Sequence, residues 1–124
     1  MCIRDRKGGD PFLFGRGGEE AELLAEKNIP YEVVPGVTAA LAVPAYSGIP
    51  VTHRDYCSSV HIITGHKRAG QPYDINFKAL VQTGGTLVFL MGVSALGEIC
   101  RSLMEAGMDK DMPCLLYTSR KKKE

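Results

Sequence analysis

The sequence predicts an α/β fold with a parallel sheet, because short apolar strand patterns alternate along the chain with helical ones. Residues 60–64 (VHIIT) and 86–91 (TLVFLM) have the β-branched and apolar composition of strands. The second pattern is apolar at every position but Thr86, so we expect that strand to be buried on both faces. Helical patterns stand before, between and after these strands, and a crossover of this kind is what parallel pairing requires.

The first third of the chain carries another helix pattern and another strand pattern. Residues 17–28 begin with several glutamates and end near Lys27, which is the charge polarity that a helix dipole favours. Residues 31–34 (YEVV) predict a short strand that ends at the Pro-Gly turn 35–36. The small residues 37–47 then predict a helix, so the local order is strand, turn, helix.

Two further helices are predicted around the second apolar strand. Residues 74–82 form a short helical pattern for which Asp74 is the expected N-cap. After the strand, Gly107 and Pro113 supply a stop signal for a helix whose apolar residues recur at helical spacing. These residues are Leu96, Ile99, Cys100 and Leu103.

The composition indicates a globular chain without a strong overall charge. Its 124 residues match one ordinary domain in length, and 44% of them are hydrophobic, which is enough to form a core. A formal charge of +1 gives no global attraction to nucleic acid or anionic membranes, and no apolar run reaches the length of a membrane span. We therefore predict a cytoplasmic protein with neither a nucleic-acid nor a membrane partner.

The four cysteines support the same interpretation. They show neither C-x-x-C pairing nor the regular spacing of a zinc site or a disulfide framework. We expect reduced thiols, with Cys57 and Cys100 packing as small apolar groups rather than acting as nucleophiles. His61 and His66 span a predicted strand end without a cysteine or carboxylate cluster beside them, so no metal site is predicted.

A domain boundary is predicted near residue 55, where residues 48–58 lose their periodicity. Two or three strands cannot enclose an α/β core, so the chain is expected to be truncated at both ends. Residues 1–6 and 114–124 read as non-native edges, or for the second segment as a disordered tail. A genuine basic tail for nucleic acid is the alternative for residues 120–124 (RKKKE).

The most informative segment is residues 8–20 (GGDPFLFGRGGEE), which follows the positive charge of Lys7. Gly8 and Gly9 allow backbone amides to approach a ligand closely. Asp10 can accept hydrogen bonds from ribose-type hydroxyls. A glycine turn before a helix explains the same residues equally well, because a short glycine loop is a weak signal by itself.

This segment resembles the S-adenosylmethionine loop of the tetrapyrrole methylases, and most closely that of the uroporphyrinogen-III C-methyltransferases. Further similar motifs follow in order over residues 7–113: VPGVTAA (34–40), AVPAY (42–46), GIPVTHR (48–54), TGH (64–66) and TLVFLMG (86–92). The resemblance implies a two-domain α/β tetrapyrrole methylase fold with the cofactor in the cleft between the domains. Residues 7–54 would form the second half of the N-terminal domain, and residues 55–113 the first half of the C-terminal domain.

The resemblance also implies an activity. The parent enzyme would use S-adenosylmethionine to methylate uroporphyrinogen III to precorrin-2 for sirohaem or cobalamin synthesis, with S-adenosylhomocysteine as product. Its partners would be this small tetrapyrrole and, as a homodimer, a second copy of itself. Two alternatives stay open: another precorrin methyltransferase of the same family, and a non-catalytic fragment. The unbroken FGRGGEE (14–20) and GIPVTHR (48–54) motifs favour the first interpretation.

Seven cofactor-binding residues are implied by the resemblance. From the residues alone, Thr38 and Ala39 would be a helix start and Met91 a core residue. The implied set consists of Gly8, Gly9, Asp10, Leu13, Thr38, Ala39 and Met91.

Uroporphyrinogen III carries carboxylates. The planar guanidinium of an arginine can bind a carboxylate through two parallel hydrogen bonds. The resemblance implies that Arg16, Glu19 and Arg54 face this substrate and that Arg16 is catalytic. Because a guanidinium stays protonated, we expect Arg16 to orient the substrate and stabilise charge rather than to act as a general base. His53, Lys67 and Arg68 could add positive charge or could simply be solvated.

Overall fold

A computed structural model describes residues 4–66 and 73–118 of the chain. The described residues divide into two compact units, one that ends at Ala42 and one that begins at Val43. The predicted domain boundary near residue 55 stays a prediction. The elements, in chain order, are α1 (Gly17–Glu26), α2 (Ala39–Tyr46), β1 (Val60–Thr64), α3 (Phe77–Thr83), β2 (Thr86–Leu90), a 3₁₀ turn (Val93–Ala95) and α4 (Leu96–Glu105).

Helix α1 confirms the helix predicted from the charge pattern, with its last residue at Glu26. Acidic side chains occupy its first turn, where the positive end of the helix dipole favours them. The chain leaves the helix through Asn28, which has φ +52, and the Ile29 amide donates to the carbonyl of Leu24 at 2.9 Å. Asparagine tolerates this left-handed conformation better than most residues, which explains the stop.

The strand predicted over residues 31–34 is wrong. Residues 29–38 form no regular element, and the side chain of Val34 is 74% exposed. A strand needs a neighbouring backbone with which to exchange hydrogen bonds, and the described part of the first unit offers no such neighbour. A β-branched composition therefore does not by itself produce a strand here.

The parallel sheet is confirmed in the second unit. Strands β1 and β2 pair in parallel, with Val60 opposite Thr86 and Thr64 opposite Leu90. Helix α3 forms the crossover between them. The expectation that the second strand is buried on both faces is wrong, since all five residues of β2 are only half-buried. The described residues supply too few elements to cover both faces of the sheet.

Helix α3 begins later than predicted. Its N-cap is Asn76, whose side-chain oxygen accepts a hydrogen bond from the Ala79 amide at 3.0 Å, so Asp74 as N-cap is wrong. Asparagine and aspartate are equally good N-caps, so their chemistry does not decide between them. The cap is the residue directly before the first helical residue, because its side chain can reach the free amide three positions later. The helix ends at Gly84, which adopts a left-handed conformation with φ +65.

Helix α4 confirms the helical spacing of the apolar residues after β2. Ile99 and Leu103 are buried, and Gly107, with φ +101, follows the helix end. The amides of Gly107 and Met108 donate back to the last turn at 3.0 Å each, which is the Schellman arrangement that favours glycine. The stop signal at Gly107 is thereby confirmed.

The two cysteines predicted to pack differ in their surroundings. Cys57 is half-buried, and its Sγ lies 3.1 Å from the Thr86 Oγ1. Cys100 lies on the exposed side of α4, so the prediction that it packs is wrong. Helical spacing placed it near the apolar stripe, but the buried stripe is narrower and is centred on Ile99 and Leu103.

Two glycines lie in contact where the strands end. Gly65 follows β1, its amide donates to the Leu90 carbonyl at 2.7 Å, and its carbonyl accepts from the Tyr73 hydroxyl at 2.8 Å. A Cβ on Gly65 would lie 2.4 Å from the Cα of Gly92, so only glycine fits this position.

Among the described residues, no helix has the length and apolar character needed to cross a membrane.

Candidate functional site

The glycine loop between Lys7 and α1 turns back on its own backbone. The Gly17 amide donates to the Pro11 carbonyl at 2.9 Å. A Cβ on either Gly15 or Gly17 would lie 2.6 Å from that same carbonyl oxygen. The alternating glycines of the FGRGG motif are therefore required for the turn to close, a role that sequence reasoning missed although their spacing indicated it.

The carboxylate of Asp10 joins this loop to a distant part of the first unit. Its Oδ1 accepts the Phe12 amide at 2.9 Å, and its Oδ2 accepts the Gly36 amide at 2.9 Å. These bonds, the one from Gly36 above all, lower the pKa of Asp10 from its ordinary value, because they stabilise the ionised form. Asp10 is thus held as a carboxylate that accepts backbone hydrogen bonds from both sides.

The backbones of the loop and of residues 36–37 are in direct contact. A Cβ on Gly36 would lie 2.2 Å from the Gly9 carbonyl oxygen, and one on Gly9 would lie 3.6 Å from the Val37 carbonyl oxygen. Gly9 has φ +82, a conformation that other residues adopt only with strain. The role of Gly36 was also missed, since the Pro-Gly pair predicted only a turn.

Thr38 and Ala39 follow this contact directly and begin helix α2. The Thr38 Oγ1 accepts the Ala40 amide at 3.2 Å, and its carbonyl accepts the Leu41 amide at 3.2 Å. Ala40 is 1% exposed, which anchors the start of the helix. Both predicted residues are therefore a helix start, and they lie within three residues of the Gly36 contact.

The main chain of the loop is accessible to a ligand. No atom lies within 4 Å of the position that a Cβ on Gly8 would occupy, and Gly8 is exposed. Leu13 is half-buried, and its amide donates to the Asp10 carbonyl at 3.4 Å. The loop therefore combines exposed main chain at Gly8 with a half-buried apolar side chain at Leu13.

Arg16 and Glu19 form an exposed ion pair at the start of α1. The Arg16 Nε and Nη2 lie 3.0 and 2.6 Å from the Glu19 Oε2. The hydrogen bond from Arg16 to Glu19 raises the pKa of the guanidinium further, so this residue stays charged. Arg16 also has φ +60 as the N-cap of α1, which is strained for a residue with a side chain.

A second ion pair lies beside the first. The Lys7 ammonium contacts the Glu20 carboxylate and lies 3.6 Å from the Asp5 carboxylate, and the bond to Glu20 raises the pKa of Lys7. A cavity of about 350 Å³ is lined by Lys7, Arg16, Glu19, Glu20 and Leu23. Sequence reasoning missed this pairing, because it depends on how the loop returns to α1.

The remaining predicted residues belong to the second unit. Arg54 is exposed in a tight turn closed by two bonds of 2.9 Å between the backbones of His53 and Cys57. Met91 follows β2 directly, is 56% exposed and has φ +57, so its interpretation as a core residue is wrong. A methionine held in this conformation is strained, and such strain is common at binding sites. Lys67 and Arg68 lie outside the described residues.

His61 lies in β1, where its imidazole also approaches Gly85, and His66 follows the strand. The His61 Nε2 lies 3.5 Å from the Ser59 Oγ, and the His66 amide donates to the Thr64 Oγ1 at 3.2 Å. Within residues 4–66 and 73–118, no group of three or more histidine, cysteine or acidic side chains could hold a metal ion.

Comparison of the sequence with known proteins identifies a family. The sequence model of the Tetrapyrrole (Corrin/Porphyrin) Methylases matches residues 6–119. The chain is 62% identical over 110 residues to the porphyrin biosynthesis protein HemD of Ruminiclostridium josui, a match that covers 89% of this chain and 22% of that protein. It is 50% identical over 113 residues to the uroporphyrinogen-III C-methyltransferase of Bacillus subtilis, covering 91% of this chain and 44% of that enzyme.

A solved structure has the same fold. The uroporphyrin-III C-methyl transferase of Thermus thermophilus, crystallised with S-adenyl homocysteine, superposes with a TM-score of 0.69 at 41% identity. The match covers 82% of this chain and 42% of that one. The chain therefore spans less than half the length of these relatives, and the fold that they share is the α/β tetrapyrrole methylase fold.

Proposed function

Because the chain belongs to the tetrapyrrole (corrin/porphyrin) methylases, we propose that it is part of an S-adenosylmethionine-dependent uroporphyrinogen-III C-methyltransferase. The reaction would form precorrin-2 and release S-adenosylhomocysteine. The relatives named for this activity in Bacillus subtilis and Thermus thermophilus support the proposal. So does the loop of residues 8–20, whose fold requires glycine at three of its positions.

The observation that carries the proposal is the geometry of the glycine loop. Gly8 leaves open space beside the backbone, while Gly9 and Asp10 lie in contact with Gly36, just before Thr38. We propose that Gly8, Gly9, Asp10 and Leu13 form one side of the cofactor site in the first unit, and that Thr38 and Ala39 extend it. Met91, which is exposed and directly follows β2, is proposed as a further cofactor-binding residue.

In methyl transfer, the main task of the protein is to hold the methyl donor and the tetrapyrrole in line with each other. S-adenosylmethionine supplies an electrophilic methyl group on a sulfonium, and a bond from a pyrrole carbon to that methyl forms as the bond from sulfur to methyl breaks. The methylated carbon afterwards loses a proton. The residues of the chain contribute orientation and exclusion of water, which can account for a large part of the rate enhancement of such a reaction.

Arg16 is the residue that we propose for substrate orientation and charge stabilisation. It stays protonated, is 77% exposed, and lines the cavity with Lys7 and Leu23. Its partner Glu19 holds the guanidinium from one side, so the other edge of its planar fork is available to a substrate carboxylate. Arg54 is proposed as a second arginine for the same carboxylate-rich substrate.

The function is tested by replacing the matching segment of the Bacillus subtilis enzyme with residues 6–118 of this chain. The graft should bind S-adenosylhomocysteine by calorimetry and transfer labelled methyl groups to uroporphyrinogen III. A graft that folds, judged by circular dichroism, but binds no S-adenosylhomocysteine would refute the proposal. A graft that binds it but methylates only a later precorrin would favour the other precorrin methyltransferases.

The role of Arg16 is tested in the same graft. Arg16→Lys keeps the charge but loses the planar fork, so we expect most of the turnover to be lost while S-adenosylhomocysteine affinity stays unchanged. Arg101→Lys, on the exposed side of α4, makes the same chemical change away from the loop and should leave turnover unchanged. Equal turnover of the two variants would refute the proposed role of Arg16 in substrate binding.

We propose further that the parent enzyme is a cytoplasmic homodimer without a nucleic-acid or membrane partner. The near-neutral formal charge of +1 is consistent with a small-molecule enzyme. Sedimentation of the graft at two concentrations checks the assembly. A monomer at both would contradict the dimer.

A further inference from the structure

We propose that Asp10 is a positioning residue, whose carboxylate bonds the glycine loop to the start of the 36–39 segment. It would control cofactor affinity through Gly36 rather than by contact with the cofactor's ribose. The inference rests on the proposed function for its ligand. Its structural part, the bond between Asp10 and Gly36, is independent of any ligand.

The two oxygens of the carboxylate serve different parts of the chain. Oδ1 accepts the Phe12 amide within the loop, whereas Oδ2 accepts the Gly36 amide from 26 residues further on, each at 2.9 Å. Hydrogen bonds to an ionised acceptor are about twice as strong as neutral ones. Among the described residues, the bond to Gly36 is the one hydrogen bond that joins residues 7–16 to residues 34–39.

The contact around this bond has no room for a substitute. A Cβ on Gly36 would lie 2.2 Å from the Gly9 carbonyl oxygen and 3.2 Å from the Asp10 Cα. The two backbones thus touch without any side chain between them, and the carboxylate beside them supplies the bond. If that bond is lost, the exposed Gly36 amide loses its protein acceptor, and no other hydrogen bond among the described residues holds the two segments together.

Separation would affect both segments proposed to bind the cofactor. Gly8 and Gly9 precede Asp10 in the loop, while Thr38 and Ala39 follow Gly36 by two and three residues. A site assembled from two segments binds more tightly when the segments are already held together. The bond between Asp10 and Gly36 therefore organises the site before the ligand arrives.

Asp10→Asn separates this role from direct recognition of a ribose. An asparagine oxygen can still accept a hydroxyl, but its NH₂ group would face one of the two backbone amides, donor against donor. In the ligand-free 124-residue chain, NMR should show faster exchange of the Gly36 amide in Asp10→Ala, which removes both acceptor oxygens. An unchanged exchange rate would overturn the proposal, whatever the chain binds.

The ligand measurement compares S-adenosylhomocysteine with its 2′,3′-dideoxy analogue in the graft. Asp10→Asn should weaken the binding of both ligands by the same factor, at least about fivefold, the lower end of typical coupling effects. Gly36→Ala should weaken both as well, and the double variant should bind no more weakly than the worse single one. Loss of affinity for S-adenosylhomocysteine alone would make Asp10 a ribose ligand and overturn the proposal.

Asp109→Asn is the matched control. The Asp109 Oδ1 accepts only the amide of Asp111, at 2.9 Å, in the second unit, so this variant should change neither Gly36 exchange nor ligand affinity. If Asp10→Asn does not fold, the wild-type chain provides the test, because the Gly36 amide resonance should shift as Asp10 is protonated. A Gly36 resonance that is insensitive to acid would overturn the proposal.

The failures of the two proposals are distinguishable. A graft that binds neither ligand, in a protein whose Gly36 amide responds to Asp10, refutes the cofactor function and leaves the bond as a feature of the fold. A graft that binds both ligands equally well with and without the Asp10 carboxylate leaves the function intact and refutes the positioning role.

Discussion

Hydrogen bonds to side chains and close contacts between glycines organise residues 4–42, whereas a parallel pair of strands and the apolar face of a helix organise residues 43–66 and 73–118. The first unit contains helices but no strand among its described residues, and Asp10 makes its long-range bond to Gly36. The second unit pairs β1 with β2 and buries Ile99 and Leu103 of α4. Single polar changes should therefore disturb the first unit most, and losses of apolar volume the second.

The largest stability effect is expected at Ile99. This side chain is 3% exposed, and Ile99→Ala should lower the free energy of unfolding by about 2–5 kcal/mol, the usual range for a buried aliphatic truncation. Leu23→Ala, on a residue of α1 that is 54% exposed, should cost roughly 0.5 kcal/mol or less. Urea denaturation of the chain measures both, and equal losses would contradict the difference between the units.

A smaller loss is expected where the ends of the strands meet. Gly65→Ala places a Cβ 2.4 Å from the Gly92 Cα, and such overpacking costs about 1–3 kcal/mol. Gly97→Ala in α4 meets no atom within 4 Å and should instead raise stability by roughly 0.5–1 kcal/mol. Thermal unfolding of the pair gives the sign, and a neutral Gly65→Ala would show that this contact can relax.

At the start of α3, the observed N-cap, Asn76, can be compared with the predicted one, Asp74. Asn76→Ala removes the acceptor for the Ala79 amide and should cost about 1 kcal/mol, the typical value for an N-cap. Asp74→Ala should change stability by less, because the helix begins at Phe77. A larger loss of stability in Asp74→Ala than in Asn76→Ala, measured by urea denaturation, would show that Asp74 is the cap.

The smallest expected effect is a dependence on acid that belongs to the first unit. The pKa of Asp10 is lowered from 3.8, chiefly by the bond from Gly36, so its stabilising contribution is present above the unfolded pKa and is lost as the pH falls through the folded pKa. Stability measured between about pH 5 and pH 2 should fall less steeply in Asp10→Asn than in the wild type. Identical pH profiles would show that the carboxylate contributes nothing to folding.

Local patterns predicted most of the second unit and less of the first. The composition of residues 60–64 and 86–90 and the spacing of Ile99 and Leu103 predicted two strands and a helix, all of which are present. The same composition failed at residues 31–34, where no strand among the described residues supplies hydrogen bonds. It also overestimated the burial of β2, because burial depends on the elements that cover a sheet.

The sequence by itself determined the family and the types of the main elements, because ordered motifs and periodicities are local properties of a chain. It placed Gly8, Gly9 and Asp10 in a loop before helix α1 and predicted that this loop contributes to a cofactor site. Only the tertiary structure decided that the Asp10 carboxylate bonds to Gly36 and that Gly65 touches Gly92. Both contacts join backbone segments 26 or more residues apart, and their positions depend on the path of the whole chain rather than on neighbouring residues.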